Sequence, residues 1–90
     1  MKVTKTFPAQ EVGHVIEIGH PTWDEEGRQF SVRSRRQNRN GGFNKGSLET
    51  PIGDLGEIIA AVAGEDLIEP MEIAAMISAL SASLIRKLAT

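Results

Sequence analysis

The sequence predicts an α+β protein, an antiparallel sheet of three to four strands followed by C-terminal helices and assembled as a homodimer. Three observations predict it. Residues 12–18 alternate apolar and other side chains with a period of two, as a strand with one more buried face does. Residues 37–42, QNRNGG, are a strong turn signal between two strand-like runs. After residue 50 the apolar period lengthens to that of a helix and stays so to the C-terminus. Strands first and helices second is the order of an α+β layout.

Taken in order, residues 1–10 carry two lysines, Val3, Phe7 and the breaker Pro8, and suit either an N-terminal arm or an edge strand. The next run places Val12, His14, Ile16 and Ile18 on the face expected to be buried, and Gly13, Val15, Glu17 and Gly19 on the other. Pro21 ends it. Residues 21–27, PTWDEEG, have the composition of a connection. A second strand turns Phe30 and Val32 to the core and Ser31, Arg33 and Arg35 to the opposite side, with Arg28 and Arg36 in register with Phe30 at its ends. Residues 43–49 return as a third strand.

Thr50-Pro51 pairs a hydroxyl cap with proline at the first helical position, so a helix is expected over 51–63. Ile52, Leu55, Ile58, Ile59 and Val62 form its apolar stripe and Gly64 its stop. Gly53 and Gly56 weaken this helix or allow close packing on the sheet. A second helix is expected over 70–88, starting near Pro70 and carrying Ile73, Ile77, Leu80, Leu84 and Leu88 on one side. Arg86 and Lys87 complement the negative end of its dipole. The chain reads as one domain over 1–90, with 11–49 as its sheet.

Ninety residues at 40% hydrophobic content suit one globular domain with a modest core. No cysteine is present, which excludes disulfides and thiolate metal sites and suits a reducing cytoplasm. No signal peptide or membrane span is expected. The net charge of -2 hides a segregation. Arg28, Arg33, Arg35, Arg36, Arg39 and Lys45 lie in an acid-free stretch, whereas Lys2, Lys5, Arg86 and Lys87 share the rest of the chain with all 12 acids. A basic stripe in an acidic protein is the footprint of a polyanion partner, nucleic acid being the usual one. An arginine-rich hairpin that keeps a sheet edge soluble has the same composition.

Nothing in the spacing supports catalysis, a cofactor or a metal, so the protein is expected not to be an enzyme. His14 shares the apolar face of its strand, and Asp24, Glu25 and Glu26 read as a solvated acidic turn. Single-stranded nucleic acid is held by a positive track with aromatic platforms for its bases. The arginines, Lys45, Trp23 and Phe43 supply those parts, both aromatics falling at hairpin ends. A duplex fits less well, because the predicted helices are acidic or apolar and a major groove repels them. Ile73, Ile77, Leu80, Leu84 and Leu88 carry more apolar surface than this small sheet needs, which points to a dimer through the second helix. A helical hairpin folded over the sheet of its own chain is the alternative.

Phe30-Ser31-Val32-Arg33, the loop 38–42, Asn44-Lys45-Gly46-Ser47-Leu48 and the helix from Pro51 together resemble the single-stranded-DNA-binding domain of the positive cofactor four transcriptional coactivator family. The resemblance covers about half the chain and rests on short motifs. It implies a curved antiparallel sheet backed by a helix, in homodimers that hold two single strands or a melted duplex in basic channels. By position, Arg33 and Lys45 would contact phosphates, and Trp23 lies near a place where an aromatic stacks on a base. Arg36 stands where the family can have tryptophan, and the second helix exceeds the family's single one. The serine-rich arm of eukaryotic members is absent, as in a bacterial or phage member acting in the cytoplasm of its cell or host. The expected function is sequence-tolerant binding of single-stranded DNA in transcription, replication or recombination, beside proteins of those processes. An interaction adaptor using the second helix, or an RNA-binding protein, are the alternatives.

Overall fold

β-Branched and apolar residues at alternate positions, broken by proline and glycine, produce the strands. The computed structural model describes residues 1–43 and 47–90. It divides into two compact units, Met1–Gly56 and Glu57–Thr90. The first is a four-stranded antiparallel sheet in the order β1 (Lys2–Pro8), β2 (His14–His20), β3 (Ser31–Arg36) and β4 (Thr50–Pro51). The N-terminal residues are thus an edge strand. Its two lysines and Pro8 suit an edge, where the outer row of backbone groups must not recruit another strand.

The register fixes which side chains share a face. Ile16 faces Phe7 across one ladder and Ser34 across the other, and Ile18 faces Lys5 and Val32. The opposite surface joins Thr6, Glu17 and Arg33, with Val15 beside Arg35. The β1 register slips between Val3 and Lys5, where the Thr4 hydroxyl donates to the Ile18 carbonyl at 3.1 Å. Such a bulge bends an edge strand and increases its twist.

Several expectations need correction. Val12 is not in the strand: it precedes β2 and is fully exposed, because Gly13 takes φ 81° and breaks the extended run. The surface meant for the core is only half-buried at Ile16 and Ile18, and Phe30 is exposed against the His20 ring. The buried residues of the sheet are instead Glu17, Gly19 and Ser31, with Pro21 just after β2. The third strand over 43–49 is absent from its described part. Phe43 bridges to Gln37, and among the described residues the next pairing is that of Thr50 and Pro51, opposite Val32 and Ser31.

Thr50 therefore belongs to the ladder and does not cap a helix. Pro51 precedes a 3-10 turn at Ile52–Asp54, with no side-chain cap. The helix proper, α1, runs Leu55–Gly64. Gly64 is its last residue, and the left-handed position falls on Asp66 at φ 55°. α2 spans Pro70–Leu88, as the sequence predicts, with Pro70 in its first turn and Arg86 and Lys87 in its last. Neither helix contains a buried residue. No hydrophobic side chain of the described residues is buried. No helix is long and apolar enough to cross a membrane among the described residues.

Candidate nucleic-acid interface

Period-two geometry puts Arg33 and Arg35 of β3 on the surface that carries Glu17 of β2. Arg33 Nε and Nη2 each lie 2.9 Å from Glu17 Oε1, and Arg35 Nη1 lies 3.5 Å from the same oxygen. The Arg33 side chain is 16% exposed and that of Arg35 26% exposed. Two cations and one carboxylate thus share this patch of sheet, leaving one net positive charge.

The turn after β3 extends the patch. The Asn38 side chain accepts from the backbone N–H of Asn40 at 3.0 Å and of Gly42 at 3.2 Å, and Gly41 takes φ 81°. This closes the loop and returns Phe43 beside Gln37. The Arg35 guanidinium then lies 4.5 Å from the centre of the Phe43 ring. A cation over an aromatic face is attracted by the ring quadrupole. Phe43 is half-buried and has one face occupied, so it braces Arg35 before it offers a platform to a base. Arg35 Nε is buried without a hydrogen-bond partner. Arg39 sits in the same loop, exposed and unpaired among the described residues.

The other candidates are dispersed. Arg36 points to the opposite surface, in register with His14, and pairs with Glu11 at 3.5 Å. Arg28 lies in the connection after β2, where it pairs with Glu26 at 2.8 Å in an exposed bridge. Trp23 is 54% exposed in that same connection, at the far end of the sheet from Phe43. The 6 residues of β3, about 20 Å long at ~3.3 Å per residue, lie between the two loops that carry these aromatics. Its surroundings are acidic. A hollow of about 450 Å³ there is lined by Lys2, His20, Pro21, Thr22 and the run from Asp24 to Gly27. Trp23 thus shares its connection with Arg28, while Arg35 and Phe43 belong to the other end of β3. Lys45 lies outside the described residues.

Two groups escape sequence reasoning. Glu17 is the lone acid of HVIEIGH, which marks it as unusual, but its partners follow only from the strand register. Glu49 accepts from the Met1 ammonium at 2.6 Å and from the Thr22 N–H at 3.3 Å, tying the start of β1 and the end of β2 to the run into β4. That ammonium holds the Glu49 carboxyl below its usual range, against partial burial, which pushes it up. Among the described residues no three His, Cys, Asp or Glu side chains come together as a metal site. No family model, curated protein or solved structure matches the chain.

Proposed function

We propose that this chain is a sequence-tolerant single-stranded-DNA-binding protein that works as a homodimer. The observation that carries the reading is the patch of Arg33, Arg35 and Phe43 on one sheet surface, continued by the unpaired Arg39. Arginines spaced along a strand follow a flexible phosphate backbone, and the adjoining loop offers contact without reading bases. The motif resemblance to the positive cofactor four family supports the same reading, with Lys45 as a further phosphate contact. Arg28 and Arg36 stand apart from the patch and can meet a strand only as it leaves the central track. Trp23 is a platform at that outer margin. A non-enzymatic role in transcription, replication or recombination follows from such binding.

The homodimer rests on the apolar surface. Ile73, Ile77, Leu80, Leu84 and Leu88 of α2 are all exposed within one chain. Ordering a residue's backbone opposes folding by about 1–2 kcal/mol, and the main compensation is apolar burial. A second copy supplies that burial.

Titrating a labelled dT oligonucleotide, a matched duplex and a matched RNA at several salt concentrations tests the function. The expected result is tightest binding to the single-stranded DNA, weakening steeply with salt. Arg33→Ala should weaken it for every sequence alike and flatten the salt slope by about 0.7. Salt-independent binding or a clear preference for duplex overturns the reading, and a preference for RNA redirects it. The exposed stripe of α2 favours one second reading, an adaptor that docks a partner helix there. Light scattering separates them, since the adaptor is a monomer and the DNA-binding protein a stable dimer.

A further inference from the structure

We infer that Glu17 is a built-in competitor for phosphate, which holds Arg33 and Arg35 in place and lowers their affinity for an anion until several phosphates act together. The inference rests on the nucleic-acid reading of this surface and concerns how its affinity is set. Glu17 lies at the middle of β2, directly across the ladder from Arg33, and is 8% exposed. Its Oε1 accepts a hydrogen bond from Arg33 Nε at 2.9 Å and is ion-paired with Arg33 Nη2 at 2.9 Å and Arg35 Nη1 at 3.5 Å. One carboxylate oxygen therefore lies against Arg33 Nε and Nη2 and Arg35 Nη1, nitrogens that a phosphate oxygen would also seek.

The opposed effects can be weighed. Without Glu17, two guanidiniums two residues apart on one strand face would repel each other in a partly buried setting. With it, the pair carries one net charge, and an incoming phosphate must displace the carboxylate or share its donors. A single phosphate gains little from that exchange. A strand of linked phosphates also meets Arg39, so the exchange at Glu17 is offset by contacts made at the same time. Glu17 is a positioning residue on this account, and it favours long phosphate chains that also reach Arg39 over short anions.

The test compares wild type, Glu17→Gln and Glu57→Gln with two probes, a dT oligonucleotide and inorganic tripolyphosphate. Glutamine keeps an oxygen acceptor for Arg33 but removes the charge. Glu57→Gln makes the same change in total charge but on α1, outside the β2–β3 ladder that carries Glu17, Arg33 and Arg35. The expected result is tripolyphosphate binding about tenfold tighter in Glu17→Gln, with the salt slope for dT steeper by about 0.7, and neither change in Glu57→Gln. Equal binding by wild type and a folded Glu17→Gln, or weaker binding by the variant, overturns the inference and leaves the DNA reading intact. Tighter tripolyphosphate binding with no dT binding by any of the three sinks the DNA reading and leaves the competitor role standing. Should Glu17→Gln fail to fold, the wild type still decides. Tripolyphosphate must then shift the Arg33 Nε–H resonance as the ion pair exchanges, and a silent resonance at saturation overturns the inference.

Discussion

A Cβ built on Gly19 would sit 2.2 Å from the Lys2 carbonyl oxygen, far inside contact distance. Gly19 pairs with Val3 on one side and Ser31 on the other, so β1 crosses it at the bulge with no room for a side chain. Gly19→Ala must push β1 away from β2 and should cost about 1–3 kcal/mol, read from the urea midpoint. Gly56 is the contrasting case, because nothing lies within 4 Å of a Cβ there and the residue is helical. Gly56→Ala should raise stability by up to about 1 kcal/mol in the same assay. Glu49 adds a pH dependence of known sign. Its folded carboxyl is held low, chiefly by the Met1 ammonium, so it binds its proton less readily folded than unfolded. The stability it contributes is present above the ordinary carboxylate range and is lost as pH falls through the lowered folded value. Glu49→Gln should therefore melt below wild type at about pH 7, and the gap should close as pH falls below the ordinary carboxylate range.

Elements differ in how far they could be read in advance, and the reasons are local. α2 was legible from end to end, since Pro70 fixes its start and the apolar stripe keeps helical spacing to Leu88. The turn at 37–42 was legible because only Asn-Gly chemistry takes positive φ readily there, as Gly41 does. In the described part of 43–49 the expected strand is missing because pairing needs register as well as alternation, and among the described residues β4 pairs with β3 at Thr50 and Pro51. That late pairing also drew Thr50 away from the helix it was expected to cap. At the site, the shared face of Arg33 and Arg35 followed from periodicity alone. Their ion pairing with Glu17 did not, because the length of the connection from 21 to 30 sets which residues meet across the ladder. On α2 the seam Ile77, Leu80 and Leu84 is exposed and uninterrupted by charge. Leu80→Glu keeps a good helix former but places a carboxylate in that seam. It should abolish the dimer by light scattering, whereas Ala82→Glu, on the opposite helical face, should leave it within about 0.5 kcal/mol of wild type.

For the molecule as a whole, folding and association become one event if the homodimer is right. The hydrophobic share of the chain is 40%, yet no hydrophobic side chain of the described residues is buried, from Phe7 and Phe30 of the sheet unit to Leu88 of α2. Association is then the step that removes apolar surface from water, and it also fixes how many basic patches act on one strand. In the proposed dimer, two patches would bind a long strand with higher avidity than either alone, which suits a patch whose charge is half neutralised by Glu17. Coupled folding has a thermodynamic signature that a self-sufficient monomer lacks. Each tenfold rise in protein concentration should stabilise the dimer by about 1.4 kcal/mol, or about 3–6 °C in melting midpoint for an assembly of this size. Circular dichroism melts over a hundredfold range of concentration measure it directly. A midpoint that does not move, together with a monomeric mass by light scattering, would show that the chain folds alone and would remove the dimer from the mechanism.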